Sequence, residues 1–136
     1  TLMDFLRINK TGKTDGISLM PLLNGKTLNR ERIFIQYDGN AAYASNQRCV
    51  VEGNYKLIID TFKDEVYLEL YNVAKDPQET TNLAPDPAYK AVAEKLIAEI
   101  RKYMRDTNDL LTFPEDAYRH YISNYAALNQ TAGAEN

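Results

Sequence analysis

A single cysteine, Cys49, and a single histidine, His120, are all that the 136 residues carry of the side chains most used for thiol and imidazole chemistry. One thiol forms no internal disulfide, so the cysteine count is silent on redox compartment. A hydrolase that works through histidine holds it beside a nucleophile or a metal, whereas Arg119 and Tyr121 place His120 on a helix, in a surface or capping role. No apolar run nears the roughly 20 residues that span a bilayer, and the N-terminus has neither a basic flank nor a long apolar stretch, as in a chain that starts mid-protein. Blocks of one charge are missing too. The 16 basic and 19 acidic residues are interspersed, with a formal charge of −3, which argues against a nucleic-acid surface. Neither a membrane nor a nucleic acid is expected as a partner.

What is present suits one domain of ordinary size, because 44% hydrophobic residues supply a modest core. Leu2, Met3, Phe5, Leu6 and Ile8 recur at near-helical spacing and stop in the polar stretch 9–15. In SLMPLLNG, Pro21 opens a helical turn and Gly25 closes it, around Met20, Leu22 and Leu23. RIFIQY at 32–37 is a strand, and the polar run 38–47 reads as a loop. CVVEGNYKLII forms a hairpin about Gly53 and Asn54, both of which tolerate positive φ, and VYLELYNV is a further strand. Asp76-Pro77 starts a turn. From Tyr89 the residues Val92, Ala93, Leu96, Ile97, Ile100, Tyr103 and Met104 fall on one face of an amphipathic helix. Pro114 and Glu115 suit the start of a second helix carrying Tyr118, Tyr121, Ile122, Tyr125 and Leu128, and residues 130–136 are expected to be disordered. The pattern is α+β: a four-stranded antiparallel sheet packed against a C-terminal amphipathic helix, with a short N-terminal helical segment.

Three segments carry a family resemblance. Residues 15–25 read DGISLMPLLNG, residues 53–58 read GNYKLI, and residues 69–84 read ELYNVAKDPQETTNLA. In that order and at that spacing they resemble the C-terminal part of arylsulfatase-like sulfatases of the alkaline phosphatase superfamily, with Val73 where the family usually has Leu. TLMDFLRI at 1–8 resembles the last helix of the family's catalytic domain. The resemblance covers residues 1–106 and divides the chain into residues 1–30, the tail of a catalytic domain with its connector, residues 31–106, the C-terminal subdomain, and residues 107–136, a helical extension with a disordered end. It implies a fragment of a sulfuric ester hydrolase, located in the periplasm or outside the cell. Such enzymes hydrolyse sulfate esters with a formylglycine, made from the Cys or Ser of a C/S-x-P-x-R motif, beside a bound calcium. No such string occurs here. Both groups are therefore expected in the missing N-terminal domain, and the isolated chain is expected to be inactive, with no catalytic and no metal-binding residue of its own.

The polar loop carries the functional expectation. Asn40, Tyr43, Asn46 and Gln47 sit beside Arg48, and in the resembled family this part of the subdomain faces the catalytic cleft. A guanidinium makes bidentate hydrogen bonds to sulfate or carboxylate, while amide and phenol groups read hydroxyls. An ordinary solvated loop satisfies the same composition. Many family members carry a second Arg in an R-x-V-R pattern, and here that position is Val51. Asp76, Glu79 and Asp86 lack the alternate spacing and central Gly of a calcium loop, so turn formation explains Asp76 better. Cys49 reads as a buried structural residue, and most of the ten tyrosines read as core or cover.

The expected partners are the N-terminal sulfatase domain and, for the intact enzyme, a sulfated carbohydrate or aryl sulfate. Two alternatives stand beside this: an independent carbohydrate- or protein-binding module, or a fragment of a phosphodiesterase or phosphotransferase of the same superfamily. The fragment reading predicts an exposed apolar patch including Leu2, Phe5, Leu6 and Leu22, with self-association through it.

Overall fold

The computed structural model describes residues 1–9, 11–12, 16–39, 45–63 and 65–133, with side chains described as far as residue 126. It divides into two compact units, Thr1–Glu31 and Arg32–Asn136.

The first unit holds two single-turn helices, α1 (Leu2–Phe5) and α2 (Met20–Leu23). The Leu19 amide donates to Thr1 Oγ1 at 2.8 Å, which ties the start of α2 to the start of the chain. Pro21 stands in the first turn of α2, where its missing N–H costs nothing. Gly25 takes φ 70°, and the Lys26 and Gly25 amides bond back to the Pro21 and Leu22 carbonyls, a Schellman ending that favours glycine. Both turn signals of the sequence hold. Leu2, Phe5, Leu6 and Leu22 are exposed.

The second unit is built on a meander of β1 (Arg32–Tyr37), β2 (Ser45–Glu52), β3 (Tyr55–Phe62) and β4 (Glu65–Asn72), each pairing antiparallel with the next. At the β2–β3 turn only Gly53 takes a positive φ, 57°, and Asn54 does not, the choice favoured where glycine comes first in a two-residue hairpin. β2 begins at Ser45, earlier than its polar composition suggests. Ser45, Asn46 and Gln47 read as loop residues because nothing local favours a strand, but their pairing with Phe62, Thr61 and Asp60 on β3 decides the matter. Gln47 Nε2 donates to Asp60 Oδ2 at 2.8 Å across that pair.

Strand alternation puts Val50, Leu57, Ile59, Val66, Leu68 and Leu70 on one face. Against that face lies α3 (Lys90–Thr107), which follows a 3₁₀ turn at Pro87–Tyr89 and buries Ala93, Leu96, Ile97, Ile100 and Met104. Val92 and Tyr103 flank this stripe half-buried, and the Tyr103 ring stacks on Phe34 with centroids 4.3 Å apart. Arg32 ties the edge strand to the helix, bonding Glu99 at 2.9 Å and Glu52 at 3.3 Å.

A second helix, α4 (Ala117–Gly133), packs on β4 and α3 through Ala117, Tyr118 and Tyr121. It starts two residues later than Pro114-Glu115 suggests, because Asp116 is the residue that caps it, accepting the Arg119 amide at 3.1 Å. Its backbone is helical to Gly133. The disordered end expected from residue 130 falls partly there and partly on residues 134–136, which lie outside the described residues.

The ELYNVAKDPQETTNLA segment closes the outer edge of the sheet. Asp76 accepts the Thr80 and Thr81 amides at 2.8 and 2.9 Å, forming the turn that its Asp-Pro pair announces. Asn82 is then laid against β4: its Oδ1 accepts the Leu70 and Ala84 amides, and its Nδ2 donates to the Leu68 carbonyl, each at 2.9 Å. With the Leu83 amide bonded to the Leu70 carbonyl at 2.8 Å, this segment satisfies the β4 edge as a further strand would. Asn82→Ala is expected to destabilise the chain by about 2–3 kcal/mol in urea unfolding, because it strands amides that have lost their water. Asn82→Asp keeps acceptors for the Leu70 and Ala84 amides but loses the donor to the Leu68 carbonyl and sets a carboxylate oxygen against it, so it should not restore the lost stability.

Candidate functional site

The end of the sheet where β1 leaves and β2 enters is organised by one guanidinium. Arg48 lies on the helix-covered face, cross-strand from Gln36 and Ile59, and is only 3% exposed. Burial of a charge demands partners for every donor. Arg48 Nε and Nη2 form a bidentate pair with Asp109, at 2.5 and 2.9 Å, and Nη2 also reaches Asp38 Oδ1 at 2.7 Å. Nη1 donates to the Tyr37 carbonyl at 3.3 Å and the Gln47 carbonyl at 2.8 Å. All the N–H groups of the guanidinium are engaged.

Asp109 arrives there because of how α3 ends. Asn108 takes the left-handed conformation at φ 55°, which asparagine tolerates better than most residues, and the Asp109 amide bonds back to the Met104 carbonyl at 2.9 Å. This turn directs the Asp109 carboxylate onto Arg48. The hydrogen bonds from Arg48, helped by the Leu111 amide, hold Asp109 below the usual carboxylate range against the opposing effect of burial. Asp38 is held low first by Gln36, whose Nε2 donates to it at 2.6 Å, and then by Arg48. Burial pulls the guanidinium down, but its bonds to Asp109 and Asp38 outweigh that and leave it above its ordinary value.

A polar cleft of about 560 Å³ opens beside this clamp, lined by Gln36, Asp38, Asn46, Arg48, Asn108 and Asp109 among others. Of the residues proposed from sequence, Asn46 and Arg48 share it. Gln47 alternates to the opposite face and bonds Asp60, while Asn40 and Tyr43 lie outside the described residues. With the guanidinium satisfied, the cleft presents the Asn46 amide and the remaining carboxylate lone pairs, groups suited to hydroxyls. Asp38 and Asp109 are the site residues that sequence reasoning missed. The signal for Asp109 was the Asn-Asp pair directly after the amphipathic helix, a C-cap signature.

The remaining candidates have structural partners. Cys49 is buried, and desolvation pushes its thiol up, away from reactivity. His120 lies on α4, with Nε2 at 3.3 Å from Asn124 Nδ2. Glu79 pairs with Lys56 at 2.7 Å and Asp86 caps the Ala88 amide at 2.8 Å, so these carboxylates, like Asp76, are committed to turns and ties. No group of ligating side chains that would hold a metal ion occurs among the described residues.

Comparison with known proteins bears on this arrangement. The family described as N-sulphoglucosamine sulphohydrolase, C-terminal, matches residues 1–106. A Delta 4,5-hexuronate-2-O-sulfatase of Bacteroides thetaiotaomicron is 31% identical over 126 residues, which are 88% of this chain and 24% of that protein. A solved 2-O GAG sulfatase superposes with a TM-score of 0.71 at 28% identity, over 85% of this chain and 26% of the other. The phosphonate monoester hydrolase of Agrobacterium radiobacter superposes with a TM-score of 0.61 at 28% identity, over 79% of this chain and 23% of the other. The chain spans 56% of the length of a Haemophilus influenzae relative, and 10% of an ulvan-active sulfatase of Formosa agariphila.

Asp109→Asn is expected to destabilise the chain by about 3 kcal/mol at neutral pH, the low end for breaking a buried ion pair, because Asp38 still faces Arg48. The pH dependence has a definite sign. A carboxylate whose folded value is depressed stabilises above its unfolded value near 4 and stops doing so as pH falls through the folded one, so the difference between wild type and variant should shrink below about pH 4 in denaturant titrations.

Proposed function

The chain belongs to the N-sulphoglucosamine sulphohydrolase C-terminal family, the C-terminal domain of sulfatases in the alkaline phosphatase superfamily, and from that premise we propose that it stabilises a sulfatase catalytic domain and shapes its substrate cleft. By itself it does not hydrolyse sulfate esters. Formylglycine and calcium belong to the catalytic domain, which would lie upstream and carry a C/S-x-P-x-R motif. The substrate of the intact enzyme is a sulfated carbohydrate or an aryl sulfate, and the enzyme works in the periplasm or outside the cell. The similarity to a hexuronate 2-O-sulfatase supports the carbohydrate choice.

The observation that carries this reading is the β1 side of the sheet face opposite α3, which is open although Cys49 and Tyr71 on the same face are buried. Ile33, Ile35 and Tyr37 on β1 are 46, 53 and 46% exposed, and beside them run Val51 on β2 and Ile58 on β3. Such a contiguous apolar surface on a folded unit marks a docking site. The upstream catalytic domain is its proposed occupant, and without that domain the chain self-associates through it. Within the first unit, Leu2, Phe5, Leu6 and Leu22 are 76, 67, 60 and 51% exposed and form that unit's own apolar surface.

In the docked enzyme, the cleft beside Arg48 would form part of the wall that meets the sugar. Asn46 reads a hydroxyl there, while Gln47 is turned to the opposite face of the sheet and bonds Asp60. Arg48 acts as the anchor of this wall. One second reading has support: the superposition with a phosphonate monoester hydrolase fits a parent enzyme of the same superfamily that acts on phosphorus esters.

The test is hydrolysis of an aryl sulfate with calcium, comparing this chain with the gene product extended upstream. Activity in the extended protein alone is expected. Activity of this chain alone contradicts the proposal, and turnover of a phosphonate monoester in place of the sulfate selects the second reading. Ile35→Asp should cost this chain about 1–2 kcal/mol, the loss expected for a half-exposed apolar strand position. In the extended protein the same substitution should cost more than it does in this chain, because it places a charge in the domain contact.

A further inference from the structure

Two tyrosines on neighbouring elements stay half-exposed although each has a contact: the Tyr67 hydroxyl donates to Glu65, and the Tyr125 ring leans on Tyr121. Tyr67 on β4 and Tyr125 on α4 are each 41% exposed, in contrast to the buried Tyr71, Tyr118 and Tyr121. Both open onto a groove of about 340 Å³ between β4 and α4, remote in sequence from the residues of the Arg48 cleft. Leu68 and Val66, both buried, also border it. Tyr121 lies beneath Tyr125, with ring centroids 5.8 Å apart.

The polar groups around it have one sign. Asp60 and Glu69 line the groove together with Asn82 and Asn124, and among the described residues no Lys, Arg or His lines it. Asn82 is committed to the β4 edge, and Glu69 accepts the Tyr71 hydroxyl through Oε2 at 2.5 Å. That leaves Glu69 Oε1, Asp60 Oδ1 and the Asn124 carbonyl oxygen as acceptors, and the Tyr125 hydroxyl as a donor. Desolvation pushes the Tyr121 phenol up to about 12, so it stays neutral beside these carboxylates at physiological pH. Flat aromatic faces flanked by carboxylate and amide oxygens suit the apolar face and hydroxyl rim of a sugar ring. The acidic lining disfavours sulfate or uronate groups.

We propose that the groove between β4 and α4 is a binding site for neutral, unsulfated sugar rings, with Tyr67 and Tyr125 as its stacking faces and Asp60, Glu69 and Asn124 as its hydroxyl partners. The proposal deepens the functional reading above and rests on it for its role, as a second contact that holds an unsulfated part of a glycan. The sheet supports the division of labour. On the face opposite α3 the aliphatic residues fall on β1 to β3, whereas on β4 the pairs Asp60–Tyr67 and Ile58–Glu69 bring polar and aromatic groups to the groove. The groove also depends on α4, which lies beyond the residues matched by the family, 1–106.

The test is a ¹H–¹⁵N NMR titration of this chain with cellobiose, lactose and N,N′-diacetylchitobiose, and with glucose 6-sulfate as the charged contrast. At least one neutral disaccharide should shift the amides of Tyr67, Glu69, Asn124 and Tyr125 with an affinity in the millimolar range, and glucose 6-sulfate should bind about tenfold more weakly or not at all. Tyr125→Ala should weaken the disaccharide about tenfold, while Tyr125→Phe, which keeps the ring face, should retain most of the affinity. The position is exposed enough for both variants to fold, and their dispersed spectra serve as the check. Absence of shifts with all three disaccharides, shifts confined to other residues, or tighter binding of the sulfated sugar would overturn the proposal. So would loss of the shifts in the upstream-extended protein, which would mean that the catalytic domain covers the groove. Sugar binding by this chain beside an extended protein without sulfatase activity would uphold the groove and sink the sulfatase reading. The converse pair of results would do the opposite.

Discussion

The buried guanidinium of Arg48 is the constraint around which one end of this molecule is arranged. A charge that is 3% exposed survives only if its donors are all met, and here they are met from three directions. Asp38 and the Tyr37 carbonyl come from the exit of β1, the Gln47 carbonyl from β2, and Asp109 from the turn after α3. Arg48 thus locks the departing edge strand, the returning strand and the helix end into one geometry. Buried pairs of this kind are weak evidence for net stability, since well-packed apolar residues often do as well. Their more defensible use is to specify one arrangement, and what is specified here is how the exit of β1, the start of β2 and the end of α3 meet.

The opposite edge solves a different problem with different chemistry. An edge strand exposes a row of unpaired amides and carbonyls, which invites association with other chains. Asn82 answers with a side-chain amide that accepts and donates along β4, and the Asp76 turn delivers it there. The most recognisable string of the chain is therefore structural in this unit. It identifies the family because its turn and edge closure need particular residues at particular places, and it does not bring catalytic groups together. That leaves the loops, clefts and uncovered faces to carry function, which is where the Arg48 cleft, the apolar sheet face and the acidic tyrosine groove are found.

Much of this was legible in advance. The amphipathic period of α3, the Gly53 hairpin and the alternation of β4 are local signals, and each element stands where its pattern placed it. The start of β2 was not legible, because Ser45, Asn46 and Gln47 become a strand only through pairing with β3, a contact between residues well separated in the chain. For the same reason the clamp escaped detection. Arg48 looked like a free anion binder beside a polar loop, and nothing near it in sequence announced Asp109, which is brought to it by the left-handed turn at Asn108. The exposure of Ile33 and Ile35 was likewise invisible, because it depends on which face of the sheet α3 packs against.

The central claim is that the open β1 side of the sheet face opposite α3 is where this subdomain meets a catalytic domain. Carbene footprinting of Ile33, Ile35 and Tyr37 tests it most directly, with labelling of this chain alone compared with labelling of the gene product extended upstream. The account predicts strong labelling in the isolated chain and protection of all three in the extended protein, with Tyr125 labelled in both. Equal labelling of Ile33, Ile35 and Tyr37 in the two proteins would contradict it.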